Sequence, residues 1–142
     1  MIHSIFNRVI ITIIPFLPLS FVRMIARRYI AGESSQEALR IVQRLNENGY
    51  SVTLDILGEH SKNKPEAKST TNEYSDLYEN IHNQKLDCNI SIKPTHIGLD
   101  IGENFSRNNL FSLLSKAQET NNFLRIDMEN SNVTDATLKL YK

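Results

Sequence analysis

Three charged residues punctuate three apolar runs. Asp55 sits in Val52-Thr53-Leu54-Asp55-Ile56-Leu57, Lys93 near the end of Cys88-Asn89-Ile90-Ser91-Ile92-Lys93-Pro94-Thr95, and Asp127 in Phe123-Leu124-Arg125-Ile126-Asp127-Met128. A lysine ammonium in a concave site attracts a carboxylate or phosphate. A carboxylate beside it stays ionised and can orient it, but by itself is too weak a base for proton abstraction. Asp55 is expected to serve as a supporting ion, paired with a lysine or capping a helix. Lys93 either neutralises one of the aspartates or receives an anionic substrate. Glu129 falls just past the third run and is expected only to line the rim. His96 follows Lys93 by three residues and can face the same site, whereas His60 and His82 sit in polar surroundings that imply exposure, and His3 lies in the apolar start. No His, Cys or carboxylate group has metal-ligand spacing, so no metal is expected. Walker A, nucleophile-elbow and EF-hand patterns are absent.

The elements that position these charges follow from local pattern. The three runs are short and rich in β-branched and aliphatic residues, which reads as strands of residues 52–57, 88–95 and 123–128. Pro94 cannot donate to a ladder, so the second strand must finish there. Between them lie helical stripes. Ser34 and Glu37 form a capping box ahead of a face of Ala38, Ile41, Val42 and Leu45, with Gly49 as the stop. Tyr74, Leu77, Tyr78 and Ile81 make a second stripe, after a polar stretch from Ser61 to Thr71 that reads at first as loop. Leu110, Leu113, Leu114 and Ala117 make a third. Ser131 or Thr134 is placed to cap a last helix through Leu138 and Leu140.

Strands recurring about every 35 residues with helices between them predict βα units in series on a parallel sheet. A dinucleotide-binding open sheet needs a Gly-rich turn after its first strand, and Leu57-Gly58-Glu59-His60 holds one glycine. The other architecture is a (β/α)8 TIM-type barrel, in which charges at the carboxyl ends of strands line the working rim. A whole barrel takes about 250 residues, so 142 residues make about three βα units, and the amphipathic stretch that runs to Lys142 is expected to mark a truncated barrel. The expected fold class is therefore α/β, a partial barrel preceded by an apolar helical segment.

That segment, residues 1–32, carries the greasiest run, Val9 to Val22, flanked by Arg8, Arg23, Arg27 and Arg28. It is shorter than the roughly 20 residues a membrane span requires, and Pro15 and Pro18 interrupt it. Two readings stay open: a pair of short helices capping the fold, which the prolines favour, or peripheral membrane contact through residues 1–24 with arginines at the headgroups. The 16 basic and 16 acidic residues balance, so nothing marks a nucleic-acid partner. Cys88 is the single cysteine, which excludes an internal disulfide and fits a reducing, cytoplasmic setting, peripheral at the inner membrane face on the second reading.

Four motifs in order carry a family resemblance: Arg28-Tyr29-Ile30-Ala31-Gly32-Glu33, Thr53-Leu54-Asp55-Ile56-Leu57-Gly58-Glu59, Ser91-Ile92-Lys93-Pro94-Thr95-His96-Ile97-Gly98-Leu99-Asp100, and Arg125-Ile126-Asp127-Met128-Glu129. Together they resemble the monofunctional proline dehydrogenases. The resemblance implies an FAD enzyme on a (β/α)8 barrel that oxidises L-proline to 1-pyrroline-5-carboxylate and passes electrons to a quinone. It implies that Lys93 binds the substrate carboxylate, that Asp127 is the catalytic aspartate, and that the backbone of Met128 approaches the flavin. Pro94 stands where many relatives have leucine, stiffening the turn after Lys93. The family's paired arginines for the proline carboxylate and most of its FAD contacts belong to a later half that this chain lacks. The isolated chain is accordingly expected to bind FAD and proline poorly. The contrasting reading is a non-catalytic βα fragment acting as a partner- or membrane-binding module.

Overall fold

The computed structural model describes Pro18, residues 30–32 and residues 34–142. The apolar segment expected over residues 1–32, with its cap and membrane readings, otherwise lies outside the described residues. The chain divides into two compact units, residues 1–41 and 42–142.

Helix α1 (Ser35–Glu47) starts where the capping box places it, with the Ser34 hydroxyl accepting from the Glu37 N–H at 3.3 Å. Its buried stripe differs from the expected one. Leu39 and Val42 are buried while Leu45 is 37% exposed, and the half-buried Asn46 pins the backbone of Asp87. Strand β1 (Val52–Leu54) leads to helix α2 (Lys64–Asn83), strand β2 (Cys88–Ile92), helix α3 (Glu103–Glu119), strand β3 (Leu124–Ile126) and helix α4 (Thr134–Tyr141).

The polar stretch expected to be loop is largely helix. Asn63 caps α2 through the Glu66 N–H at 2.9 Å, and Pro65 sits in the first turn, where its missing N–H costs nothing. The polar residues are accommodated by burying Ala67, Thr70 and Thr71, with the Thr71 hydroxyl bonded back to the Ala67 carbonyl at 2.7 Å. α4 departs from expectation too. Val133 is its N-cap, with no side-chain cap bond from Ser131 or Thr134.

The three strands form one parallel sheet in the order β1-β2-β3. Each is shorter than its apolar run, because β1 and β3 find a ladder partner on one side alone among the described residues and Pro94 ends β2. α2 packs on β2 and beside α3, and α3 in turn packs on β3 and beside α4. Alternation along the strands sends Leu54, Ile90 and Ile92 into a core shared with Leu77, Tyr78, Ile81 and Leu113. The opposite set is polar: Thr53, Asn89, Ser91 and Arg125 share its register positions. Continued one step past the strand ends, that set reaches the charged residues.

Candidate active site at the strand ends

Asp55, Lys93 and Asp127 are each the first residue beyond their strand. Lys93 Nζ donates to Asp55 Oδ2, and both side chains are largely buried, at 19% and 24% exposure. The other Asp55 oxygen accepts from the Tyr74 hydroxyl at 2.9 Å. Tyr74 comes from α2 and is fully buried. Burial and the Asp55 charge push its pKa up, so it remains a hydrogen-bond donor. Burial alone would lower the Lys93 pKa. The Asp55 bond and the charges of Asp55, Asp127 and Glu59 outweigh it and leave the pKa raised, so Lys93 is an ammonium.

Asp127 does not bond the lysine. Its N–H donates to the Ile92 carbonyl at 2.9 Å, and its Oδ1 accepts from the Ser91 hydroxyl. Asp127 thus contributes charge to Lys93 from a distance and is oriented by β2. Glu129 does more than line the rim, since its carboxylate accepts from both the N–H and the hydroxyl of Thr95. Met128, between them, is 55% exposed.

The histidines divide. The His96 ring lies edge-on to Tyr74 at a centroid distance of 6.3 Å. It also fills the space beside Gly58, where a Cβ would come within 2.4 Å of its Nε2. Gly58 has φ +155°, so this lone glycine serves a close approach and a backbone few side chains tolerate. Burial lowers the His96 pKa, leaving a neutral ring. His60 is exposed and its Nδ1 lies 2.6 Å from Asp100 Oδ2. That bond chiefly raises its pKa. His82 is exposed near the far end of α2, with Nδ1 3.2 Å from the Thr120 carbonyl. Cys88 is buried and its pKa is pushed up to about 11, mainly by burial, so it stays a thiol. Among the described residues no three His, Cys, Asp or Glu side chains form a metal-binding group. Nor is any of their helices long and apolar enough to cross a membrane.

The arrangement is a mostly buried ammonium bonded to one carboxylate, a second carboxylate held one strand away, and an exposed residue, Met128, beside it. Comparison with known proteins meets the same stretch: the family model described as "Proline dehydrogenase" matches residues 38–142. The chain belongs to the proline dehydrogenase family. Among its relatives in that family is proline dehydrogenase 1 of Bacillus subtilis subsp. natto, 35% identical over 120 residues, which cover 84% of this chain and 40% of that protein. Proline dehydrogenase of Deinococcus radiodurans is 30% identical over 121 residues, 83% of this chain and 39% of its own length. This proline dehydrogenase family member thus spans about 40% of the length of the curated relatives it matches. A crystal structure of proline utilization A from Bdellovibrio bacteriovorus, inactivated by N-propargylglycine, superposes with a TM-score of 0.76 at 24% identity. The match covers 84% of this chain and 15% of that one. The fold class is that of the expectation, α/β with parallel βα units of a partial barrel.

Ser91 and Tyr74 were missed as site residues in the sequence. Ser91 had a readable signal, standing two positions before Lys93 on the same strand face. Tyr74 reads in the sequence as part of a helical stripe, although a buried phenol must find a partner.

Proposed function

We propose that this chain supplies the first βα units of a proline-oxidising flavoenzyme site, converting L-proline to 1-pyrroline-5-carboxylate. The observation that carries the reading is Lys93, a mostly buried ammonium at the strand-end rim whose one hydrogen-bonded partner among the described residues is Asp55. An ammonium bonds more than one acceptor, so Lys93 can take a substrate carboxylate while keeping Asp55. Asp127 has one oxygen on Ser91, and its other oxygen makes no hydrogen bond among the described residues. That oxygen is available to the substrate's ring nitrogen.

The Met128 backbone N–H and C=O make no hydrogen bond among the described residues, so a flat ring can approach there without breaking an internal bond. This fits the ring end of FAD, with Met128 as the contact. When bound, FAD would supply a hydride acceptor for the carbon next to the proline nitrogen. Lys93 and Asp127 would then hold the substrate at both of its charged groups and exclude alternative orientations. The proposal extends to a quinone as electron acceptor. It also divides the chain into an apolar segment at 1–32 and βα units at 33–142, with peripheral membrane contact through residues 1–24, which the arginine-flanked apolar run supports.

The test is to measure flavin absorbance and proline-dependent dye reduction, first on the chain alone and then on the chain joined to the remaining βα units of a relative. Little of either is expected alone and both are expected in the joined protein, with turnover lost in Lys93→Ala. A joined protein that holds flavin yet reduces no dye with proline would overturn the reading.

A further inference from the structure

Loops that carry reacting groups must be held against one another, and here the holding group is a carboxylate. Thr95 lies two residues past Lys93, is fully buried, and is outside any strand, so its N–H needs an acceptor from elsewhere. Glu129 provides one: its Oε2 takes the Thr95 N–H at 3.0 Å and its Oε1 the Thr95 hydroxyl. Such charged bonds are stronger than neutral ones. Thr95 is also where the loop after β1 attaches. Its carbonyl accepts from the Ser61 N–H at 3.2 Å, and its hydroxyl oxygen accepts from the His60 N–H at 3.2 Å. Three loops therefore meet on one residue.

The run Asp127-Met128-Glu129 is pinned at both ends, by Ile92 and Ser91 at Asp127 and by Thr95 at Glu129. Only the middle residue is left outward. We propose that Glu129 is a positioning residue which, through Thr95, clamps the loop carrying Asp127 and Met128 to the loop carrying Lys93. Its consequence for catalysis rests on the proline and flavin reading above. The clamp itself does not.

Two readouts on the chain test it. Amide hydrogen exchange at Thr95 should quicken about tenfold in Glu129→Ala, the scale of one lost charged hydrogen bond, while the amides of β2 keep their protection. Acylation of Lys93 by an amine reagent, followed by mass spectrometry, should quicken severalfold as its loop loosens. Thr95→Ser keeps both donors and should keep wild-type rates, whereas Thr95→Val keeps the N–H bond to Glu129 and loses the hydroxyl bond, so it should raise both rates less than Glu129→Ala. If Glu129→Ala fails to fold, Glu129→Gln, which retains one acceptor oxygen, should show the same pattern at smaller size. Wild-type rates at Thr95 and Lys93 would overturn the proposal. So would an increase spread equally over β2, since Glu129 would then matter only to global stability. Protection of Lys93 from acylation by L-proline, measured in the flavin-loaded joined protein, reports separately on the substrate reading. Its failure leaves the clamp standing.

Discussion

Asp55 and Asp127 are the same residue type, each one step past a strand of the same sheet, yet their surroundings assign them different work. Both oxygens of Asp55 are occupied, one by the Lys93 ammonium and one by a phenol from α2. Asp127 has one oxygen on its neighbour strand's serine and the other without a partner among the described residues. A carboxylate saturated by buried donors is a fixture, while one with a spare oxygen can receive a ligand. The difference comes from α2, which reaches the end of β1 with Tyr74.

The largest expected effect breaks the fixture. Asp55→Ala leaves an ammonium and a buried phenol without their partner and should cost about 2–3 kcal/mol in urea unfolding, against about 1 kcal/mol for Asp127→Ala, which releases only Ser91. Equal losses would erase the distinction. Next, Gly58→Ala should cost about 2 kcal/mol, because the new Cβ meets the His96 ring and the backbone sits at positive φ. It should also disturb the Tyr74 side of the site and leave Asp127 untouched, as chemical shifts would show. Tyr74→Phe keeps the ring and deletes only the hydroxyl, so about 1 kcal/mol is expected, with no change in the Ser91–Asp127 pair.

The smallest effect lies at the exposed edge of the same rim. The His60 pKa is raised in the folded state, so the His60–Asp100 contact contributes stability that is complete below the unfolded value near 6.5. That contribution is lost as pH rises through the higher folded value. Thermal melts of wild type and His60→Gln should differ in acid and converge in mild alkali. A difference that grows with pH would contradict the pair's role.

Periodicity made much of the architecture legible. The strand positions, their parallel order and the placing of Asp55, Lys93 and Asp127 at one end all follow from alternation and spacing, which are properties of consecutive residues. The extent of α2 was less visible, since its first two turns are polar and depend on Asn63, Pro65 and burial against the fold. The α1 stripe keeps Val42 as expected but adds Leu39 and leaves Leu45 exposed, and Asn46 reaches Asp87, 41 residues away, which no local pattern encodes.

The same boundary separates what the chain's sequence determined from what tertiary structure decided. Residue order alone was enough to bring an ammonium and two carboxylates to one rim, because a strand's period of two and a repeated βα length dictate direction and end. Which carboxylate the ammonium bonds, that a tyrosine fills the other side, and that Glu129 closes on Thr95 were settled only by packing. Those pairings join residues 19 to 38 positions apart, and the donors choose among acceptors by distance and burial once the helices have packed on the sheet.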